Sequence, residues 1–314
     1  MFNSTPRTVG ATSGVIPAAV GKNAIDGTRR VILITGASRG IGLSVLKHLA
    51  LNPYYSLQGG LDIIMTASKP DQLMQVYNNL LILIQQNMLN TRLLPFVCDL
   101  ATPGIINTTK IQQQIYNVFG ARVDTVIHNA GQLEPIKRIE NMTAHDYDLV
   151  ERHFMLNVIS VMKLTTAILP ALKHSAAPRI ILLSSGAALH GMIGWSPYCS
   201  SKSALNSLCH TLSLEQPGMT VLAISPGPVE SSMQQLIRNT GSHEMSTADY
   251  DKFVNLHKNN ELTRESDAAV WIAACAMTAP IELSGQYISI KDEQAQHIIK
   301  QYTDTINQVQ GPNV

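Results

Sequence analysis

Residues 35–42 read Thr35-Gly-Ala-Ser-Arg-Gly-Ile-Gly42 and directly follow an apolar run at residues 31–34. Each glycine of this stretch meets a separate need. Gly36 lets the chain turn sharply, Gly40 lets backbone N–H groups approach a pyrophosphate, and Gly42 lets a helix pack closely on the strand. No Lys-Ser or Lys-Thr pair follows, which excludes the Walker phosphate loop. The stretch predicts a strand, a turn and a helix that bind a dinucleotide; a turn of purely structural use is the alternative.

The rest of the chain alternates short β-rich apolar runs with longer helical segments, as a parallel sheet with crossover helices requires. These runs predict a single Rossmann-like α/β domain, with a doubly wound parallel sheet of seven strands, over residues 30–291. The predicted strands are residues 31–35, 62–66, 93–98, 125–128, 179–184, 220–224 and 286–290.

Two segments lie outside the predicted domain. Residues 1–29 are rich in Ser, Thr, Gly, Ala and Pro and show neither helical nor strand period, so we expect a flexible N-terminal extension. Basic residues outnumber its one acid, Asp26, which leaves mitochondrial import as an alternative to the cytoplasmic location that we expect. Residues 292–314 are polar and Gln-rich, and we expect a C-terminal tail that is part helix and part disorder.

The composition narrows the class of protein. The chain has 314 residues, of which 14% are charged, and a formal net charge of +1, which excludes the broad basic surface of a nucleic-acid binder. No apolar run approaches the length of a membrane helix, so we expect a soluble protein without a membrane partner. The 4 cysteines form no C-x-x-C pair, and we expect neither a disulfide framework nor a metal site. So low a charged fraction favours self-association.

The end of the second predicted strand indicates which dinucleotide the glycine turn binds. Enzymes that use NAD commonly place an acid there, against the ribose 2′-hydroxyl. Residues 65–69 hold no acid and end in Ser68 and Lys69. Lys69, together with Arg39 of the glycine turn, would attract a 2′-phosphate, so the sequence favours NADP over NAD. The alternative is that both cations are ordinary solvated surface charges.

A candidate catalytic group follows the fifth predicted strand. Ser185 comes directly after it, and Tyr198 and Lys202 stand four residues apart in a helical segment, which puts them on one helix face. A tyrosine is protonated at neutral pH, as a proton donor must be, and a neighbouring cation helps it to release its proton. Taken singly, Tyr198 and Lys202 are a common helical pair, and Ser185 is an ordinary turn or cap residue.

Taken together, these motifs resemble the short-chain dehydrogenase/reductase superfamily. His128 stands where Asn is frequent in the family and Ser231 where Thr is usual, and both retain the needed chemistry. The matching segments stand in the family's order over residues 30–290: the glycine turn, Cys98-Asp99-Leu100, His128-Asn-Ala-Gly131, Asn157, Ser185, Tyr198-x-x-x-Lys202 and Pro226-Gly-Pro-Val-Glu-Ser231.

The resemblance implies a role for each matching residue. Tyr198 would be the proton donor, Ser185 would orient the carbonyl, and Lys202 would lower the pKa of Tyr198 and bind the nicotinamide ribose. Asn157 would hold a water molecule that links Lys202 to solvent. The implied cofactor-binding residues are Gly36, Ser38, Arg39, Gly40, Ile41, Gly42, Ser68, Lys69, Asp99, Asn129, Gly131, Tyr198, Lys202, Pro226, Gly227, Val229 and Ser231.

A closer resemblance is to the fungal benzil reductase and sepiapterin reductase-like branch. It rests on residues 130–135, 195–198, 226–234 and 284–287. It implies an NADPH-dependent carbonyl reductase that transfers hydride to a ketone or a vicinal dicarbonyl. The alternatives are a cofactor-binding regulatory protein on the same fold, a physiological alcohol dehydrogenase, or an interaction protein whose motifs are coincidental.

The family also implies a substrate lid and an oligomer. The lid would lie at about residues 231–262, and the candidate pocket residues are Met192, Ile193, Trp195 and Met233. Two long helices, expected around residues 147–170 and 198–214, would form the interface of a homodimer or homotetramer. This interface would account for the low charge of the chain.

Overall fold

The computed structural model describes residues 29–102, 113 and 122–308, and the predicted seven-stranded parallel sheet is confirmed. The N-terminal extension predicted for residues 1–29 therefore lies almost wholly outside the described residues. Each strand begins and ends within two residues of its predicted bounds. The strands are β1 Arg30–Thr35, β2 Leu61–Ala67, β3 Thr91–Val97, β4 Thr125–His128, β5 Arg179–Leu183, β6 Thr220–Ser225 and β7 Tyr287–Ser289.

The strand order is β3-β2-β1-β4-β5-β6-β7, with every neighbouring pair parallel. The chain runs outward from β1 in one direction through β3 and then returns to lay β4 on the other side of β1. The order thus reverses between β1 and β4, and such a switch point opens a crevice at the carboxyl ends of the strands. The glycine turn leaves β1 at this point.

Helices cover both faces of the sheet. Alternate residues of β1 enter opposite layers: Ile32 and Ile34 pack with one apolar cluster, and Val31 and Leu33 with the other. In the described residues the helices are α1 Gly40–Ala50, α2 Pro53–Leu57, α3 Pro70–Gln86, α4 Ala144–Leu172, α5 Ser196–Glu215, α6 Ser232–Thr240, α7 Thr247–Lys258, α8 Glu265–Thr278 and α9 Glu293–Asn307.

Helix α4 contains a π turn at Met155–Ile159. By length and composition alone this helix could cross a membrane. Its second half carries Val161, Leu164 and Ile168 into the core beneath the sheet. Core packing therefore accounts for its apolar composition.

Helix α9 forms most of the predicted C-terminal tail, for which we expect part helix and part disorder. Its residues Ala295, Ile298, Tyr302 and Ile306 are buried in the same cluster as Ile32 and Ile34. They recur at helical spacing on one face. The packed part of the chain thus extends past residue 291 to the end of α9, and residues 309–314 lie outside the described residues.

Candidate active site

The glycine turn has the geometry that its sequence predicts. Gly36 and Gly40 have φ of +67° and +55°, which favour glycine. A Cβ at Gly42 would lie 2.3 Å from the Gly36 carbonyl oxygen and 2.4 Å from Asn129 Nδ2, so α1 can approach the turn this closely only without a side chain. Helix α1 begins with no capping side chain and no acid in its first turn. Its N-terminal N–H groups can therefore receive an anion.

Asn129 lies next to this turn, and Asp99 follows β3 at the same edge of the sheet. Asn129 Nδ2 donates to the carbonyl oxygen of Thr35 at 2.9 Å, so this amide fastens the end of β4 to the turn. The Asp99 carboxylate accepts from Ala101 N at 3.1 Å and from Arg152 Nη2 at 3.2 Å. Burial raises the pKa of Asp99, but these hydrogen bonds and the Arg152 charge outweigh burial and bring the pKa below its usual value. Asp99 is therefore ionised at neutral pH.

The two cations expected at a 2′-phosphate are both exposed. Ser68 and Lys69 follow β2 at the surface, and Lys69 precedes the first turn of α3. Arg39 Nη1 donates to Ser232 Oγ at 3.0 Å. Arg39 thus reaches from the glycine turn to the first residue of α6, which belongs to the predicted lid.

The structure brings Ser185, Tyr198 and Lys202 together on one cavity at the carboxyl end of β5. Ser185 Oγ accepts from Ala187 N at 3.2 Å, so this serine also caps the short turn that follows it. Tyr198 lies in the first turn of α5. One turn later, Lys202 Nζ donates to the Leu183 carbonyl oxygen at 2.6 Å and lies 5.6 Å from the centre of the Tyr198 ring.

Burial controls the protonation of this group. It raises the pKa of Tyr198 to about 12, and the hydrogen bond with Ser185 only partly offsets it. Removing the phenolate from water costs more than these neighbours return. The lowering of this pKa that we expect from Lys202 stays a prediction. Burial also lowers the pKa of Lys202 to about 8. Tyr198 therefore keeps its proton at neutral pH, whereas Lys202 loses its proton near pH 8.

Asn157 lies in the π turn of α4, behind the cavity wall, and is almost completely buried. Its Oδ1 accepts from Gln132 N at 3.0 Å and its Nδ2 donates to the Gln132 carbonyl oxygen at 2.9 Å. A Cβ at Gly131 would lie 3.3 Å from Asn157 Oδ1 and 3.6 Å from Lys202 Nζ. The loop after β4 therefore passes close to both Asn157 and Lys202, and a Cβ at Gly131 would be tight only against Asn157.

His153 belongs to this arrangement and was missed by sequence reasoning. It has no exposed surface, and its Nδ1 lies 2.8 Å from the Glu134 carbonyl oxygen, which can only accept. Nδ1 must therefore donate, so Nε2 accepts from Asn157 Nδ2 at 2.9 Å. Burial lowers the pKa of His153 to about 4 and keeps the ring neutral. The sequence could have indicated this residue, because His153 stands four residues before Asn157 and so lies on the same helix face.

The cavity has a volume of about 580 Å³, and it is lined by the candidate catalytic group and by residues of the predicted lid. Of the predicted pocket residues, Met192, Trp195 and Met233 line it. Trp195 stacks on Phe253 of α7, with ring centres 5.4 Å apart and planes 14° apart, and meets Tyr198 edge-on at 5.7 Å. The aromatic rings thus connect α7 of the predicted lid with Tyr198.

Ile193 is not part of the wall. It is 47% exposed, and the loop turns at Gly194, with φ +80°, immediately after it.

Of the predicted cofactor-binding residues, those that line the cavity beside the catalytic group are Ile41, Asn129, Gly131, Pro226, Gly227, Val229 and Ser231. Within the described part of the chain, no group of three His, Cys, Asp or Glu side chains is placed to hold a metal ion.

The sequence profile of the short chain dehydrogenase family matches residues 30–242, which include the glycine turn and the whole catalytic group. The chain belongs to this family. This short-chain dehydrogenase is accordingly an oxidoreductase, and its sheet and helices are those of its structural neighbours.

Individual relatives agree with the branch expected from the sequence. The benzil reductase ((S)-benzoin forming) IRC24 of Saccharomyces cerevisiae is 32% identical over 271 residues, which cover 84% of this chain and 97% of the relative. The sepiapterin reductase of Rattus norvegicus is 31% identical over 67% of this chain and 78% of its own length. The crystal structure of the KRED1-Pglu enzyme superposes with a TM-score of 0.71 at 31% identity, covering 82% of this chain and 99% of that one. The predicted resemblance to the benzil reductase and sepiapterin reductase-like branch is confirmed.

Proposed function

We propose that this short-chain dehydrogenase is an NADPH-dependent carbonyl reductase that transfers hydride to a ketone or a vicinal dicarbonyl, with Tyr198 as the proton donor. One observation carries the proposal. Ser185, Tyr198 and Lys202 line the same cavity as Asn129, Gly131 and residues 226–229 and 231. A carbonyl bound in this cavity lies beside two hydroxyl groups and beside the residues expected to hold the nicotinamide.

The glycine cradle supports a dinucleotide cofactor. The contacts at Gly42 leave no room for a Cβ, and the uncapped start of α1 offers its N–H groups to a pyrophosphate. Asp99 and Asn129 would border the adenosine, and Lys202 and Ser231 would hold the nicotinamide end. Residues 65–69 at the end of β2 hold no acid, and the next one, Asp71, lies in the first turn of α3. The exposed Lys69 and Arg39 favour the 2′-phosphate of NADPH. The bound cofactor supplies the hydride.

The protein's own part in the reaction is to position the carbonyl and to protonate it. Ser185 and Tyr198 donate hydrogen bonds to the carbonyl oxygen, and these strengthen as negative charge develops there. Tyr198 then gives its proton to that oxygen. Lys202, protonated below about pH 8 and 5.6 Å from the tyrosine ring, stabilises the phenolate that remains.

The substrate class rests on the relatives and on the aromatic wall. The similar yeast protein is a benzil reductase, and Trp195 and Phe253 present stacked rings to the cavity. Aromatic walls favour ring-bearing ligands through apolar burial and offset stacking. An aryl ketone or aryl dicarbonyl therefore fits best.

The test is the Tyr198→Phe variant. It keeps the ring in place against Trp195 but removes the proton, so we expect NADPH consumption with aryl ketones to fall by at least about a thousandfold. Binding of NADPH, followed by its fluorescence, should remain within about twofold, since the ring and Lys202 stay. Full activity in this variant would refute Tyr198 as the donor. A wild-type protein that binds NADPH without reducing any carbonyl would favour the regulatory alternative.

We also propose a homodimer or homotetramer. Helix α4 carries Tyr147, Ile159 and Met162 on its exposed surface, and α5 carries the exposed Leu214. These apolar side chains lie on the two helices that the sequence analysis assigns to an interface. Light scattering coupled to size exclusion should show a dimer or tetramer, and Met162→Lys should shift the protein toward monomer.

A further inference from the structure

Glu265, the first residue of α8, brings a carboxylate to the glycine turn. A Cβ at Gly40 would lie 3.7 Å from Glu265 Oε1. Apart from the chain beside Gly40 and the backbone of α1, the described residues bring no other atom within 4 Å of that position. Because a C–C bond is about 1.5 Å long, Oε1 lies within about 5.2 Å of Gly40 Cα. The carboxylate therefore stands at the helix end that we expect to receive the pyrophosphate.

No partner in the described part of the chain accounts for this carboxylate. Glu265 is half-buried and forms neither a hydrogen bond nor an ion pair there, whereas Asp267 pairs with Arg264 at 2.8 Å. Burial raises the pKa of Glu265, Lys47 only partly offsets this, and the charge of Glu230 raises the pKa further. A carboxylate that served the fold through an ion pair would have a lowered pKa instead. The surroundings of Glu265 thus do not stabilise its charge.

The same helix end attracts the anion that Glu265 opposes. The N–H groups in the first turn of α1 have no partner within the helix and favour negative charge. A pyrophosphate bound to them would lie within about 9 Å of Glu265 Oε1, close to the Debye length of about 8 Å at physiological salt. Salt therefore screens the two anions from each other only in part. A bound cofactor also displaces water from between them, which strengthens their repulsion.

We propose that Glu265 lowers the affinity of the glycine turn for the cofactor pyrophosphate and thereby speeds the exchange of oxidised for reduced cofactor. This role rests on the proposed function, in which the cofactor must leave and be replaced after each turnover. Product release limits the turnover of many enzymes. The repulsion acts on NADPH, NADP⁺ and NADH alike, because all three carry the pyrophosphate. Arg39 and Lys69 would act on the 2′-phosphate alone, so the two effects can be separated.

The experiment compares cofactor binding in the wild type, Glu265→Gln and Glu282→Gln. The glutamine keeps the size of Glu265 and removes its charge. Glu282→Gln is the matched control, because it makes the same change at an exposed residue beyond the other end of α8, about 20 Å away along that helix. Fluorescence titration gives the Kd of NADPH and of NADH. Stopped-flow displacement by excess NADP⁺ gives the release rate of NADPH, and urea unfolding reports folding.

We expect Glu265→Gln to bind both NADPH and NADH about tenfold more tightly at pH 8 and to release NADPH at least about threefold more slowly. Glu282→Gln should stay within about twofold of the wild type, since its charge is screened at that distance. Equal or weaker binding in Glu265→Gln would overturn the proposal, and so would a gain confined to NADPH. Tighter binding with an unchanged release rate would overturn the part of Glu265 in cofactor exchange.

Two series of measurements separate repulsion from a change in packing. The ratio of the wild-type Kd to the Glu265→Gln Kd should shrink from about pH 8 to about pH 5, as Glu265 takes up a proton, and from about 0.05 to about 1 M NaCl, as salt screens the charges. The charged groups around Glu265 are Lys47 of α1, Arg39 before it and Glu230 of the loop before α6. His257 contacts Glu230 at 2.8 Å. All four are present in both proteins, so their own titration cancels in the ratio. A ratio that stays constant in both series would mean a packing effect and would overturn the proposal.

Failure of this proposal and failure of the proposed function give different results. A wild type that binds NADPH but reduces no carbonyl loses the proposed function, and the comparison of Kd values still decides the role of Glu265. If the wild type binds neither NADPH nor NADH, calorimetric titration with inorganic pyrophosphate takes their place. Tighter binding of pyrophosphate by Glu265→Gln than by the wild type would support the repulsion, and equal binding would overturn it.

Discussion

Gly42→Ala tests the close approach on which the cofactor cradle depends. The new Cβ would lie 2.3 Å from the Gly36 carbonyl oxygen and 2.4 Å from Asn129 Nδ2, whereas ordinary contacts begin at 3.4 Å. The amide of Asn129 can move, but the Gly36 oxygen belongs to the backbone of the turn itself. The turn and α1 must therefore separate by about 1 Å.

Forced contacts of this kind in a packed region cost about 1–3 kcal/mol, and occasionally more. Because a backbone oxygen is the obstacle, we expect the free energy of unfolding to fall by about 3 kcal/mol. The same opening moves the N-terminal N–H groups of α1 away from a bound pyrophosphate. We expect NADPH to bind at least about tenfold more weakly.

Urea unfolding measures the first effect, and NADPH fluorescence titration measures the second. Gly218→Ala is the matched control, because a Cβ there meets nothing within 4 Å, and its unfolding free energy should change by less than about 0.5 kcal/mol. If Gly42→Ala matched the wild type in both measurements, the turn and α1 would not be in contact as described, and the argument for the cradle would fail.

Three further predictions concern the catalytic and cofactor residues. The kcat/KM for carbonyl reduction should fall above about pH 8 as Lys202 loses its proton, and Lys202→Arg should move this decline to higher pH, since arginine stays protonated; an unmoved decline would exclude Lys202 as the titrating group. His153→Phe removes the donor to the Glu134 carbonyl and one of the partners of Asn157 Nδ2, so kcat should fall about tenfold and the unfolding free energy by about 2 kcal/mol. In the Asn157→Ala variant, adding His153→Phe should lower kcat little further. If the two substitutions lowered kcat independently, His153 would not act through Asn157. Lys69→Ala should reduce the preference for NADPH over NADH in kcat/KM about tenfold, and an unchanged preference would show that Lys69 does not contact the 2′-phosphate.

The sheet was predictable because its strands are buried on both faces. β5 and β6 are almost wholly apolar runs, and a doubly wound sheet requires such strands. The glycine turn was predictable for another reason. Three glycines at this spacing directly after a strand are typical of a turn that binds a dinucleotide and of few other turns. Local sequence was thus sufficient wherever a single element determined the outcome.

Features that depend on contacts between several elements could not be predicted from local sequence. The rise in the pKa of Tyr198 follows from burial by residues distant in sequence, so the spacing of Tyr198 and Lys202 along the chain could not indicate it. The place of His153 depends on the loop that brings the Glu134 carbonyl to it. A helix within residues 292–314 was predicted, but its packing in the core was not, because the Gln-rich composition obscured the buried face formed by Ala295, Ile298 and Tyr302.

The π turn at Met155–Ile159 holds one residue more than a regular helical turn, and each residue rotates a helix by about 100°. Deleting one residue within this turn would restore regular α-helix, so Val161 and Leu164 would stay in the core. The same deletion within Ser160–Leu172 would rotate the residues that follow it away from the core. When the turn tightened, Asn157 would lose its place against the backbone of Gln132. The extra residue of this turn therefore serves the site and not the packing of the helix.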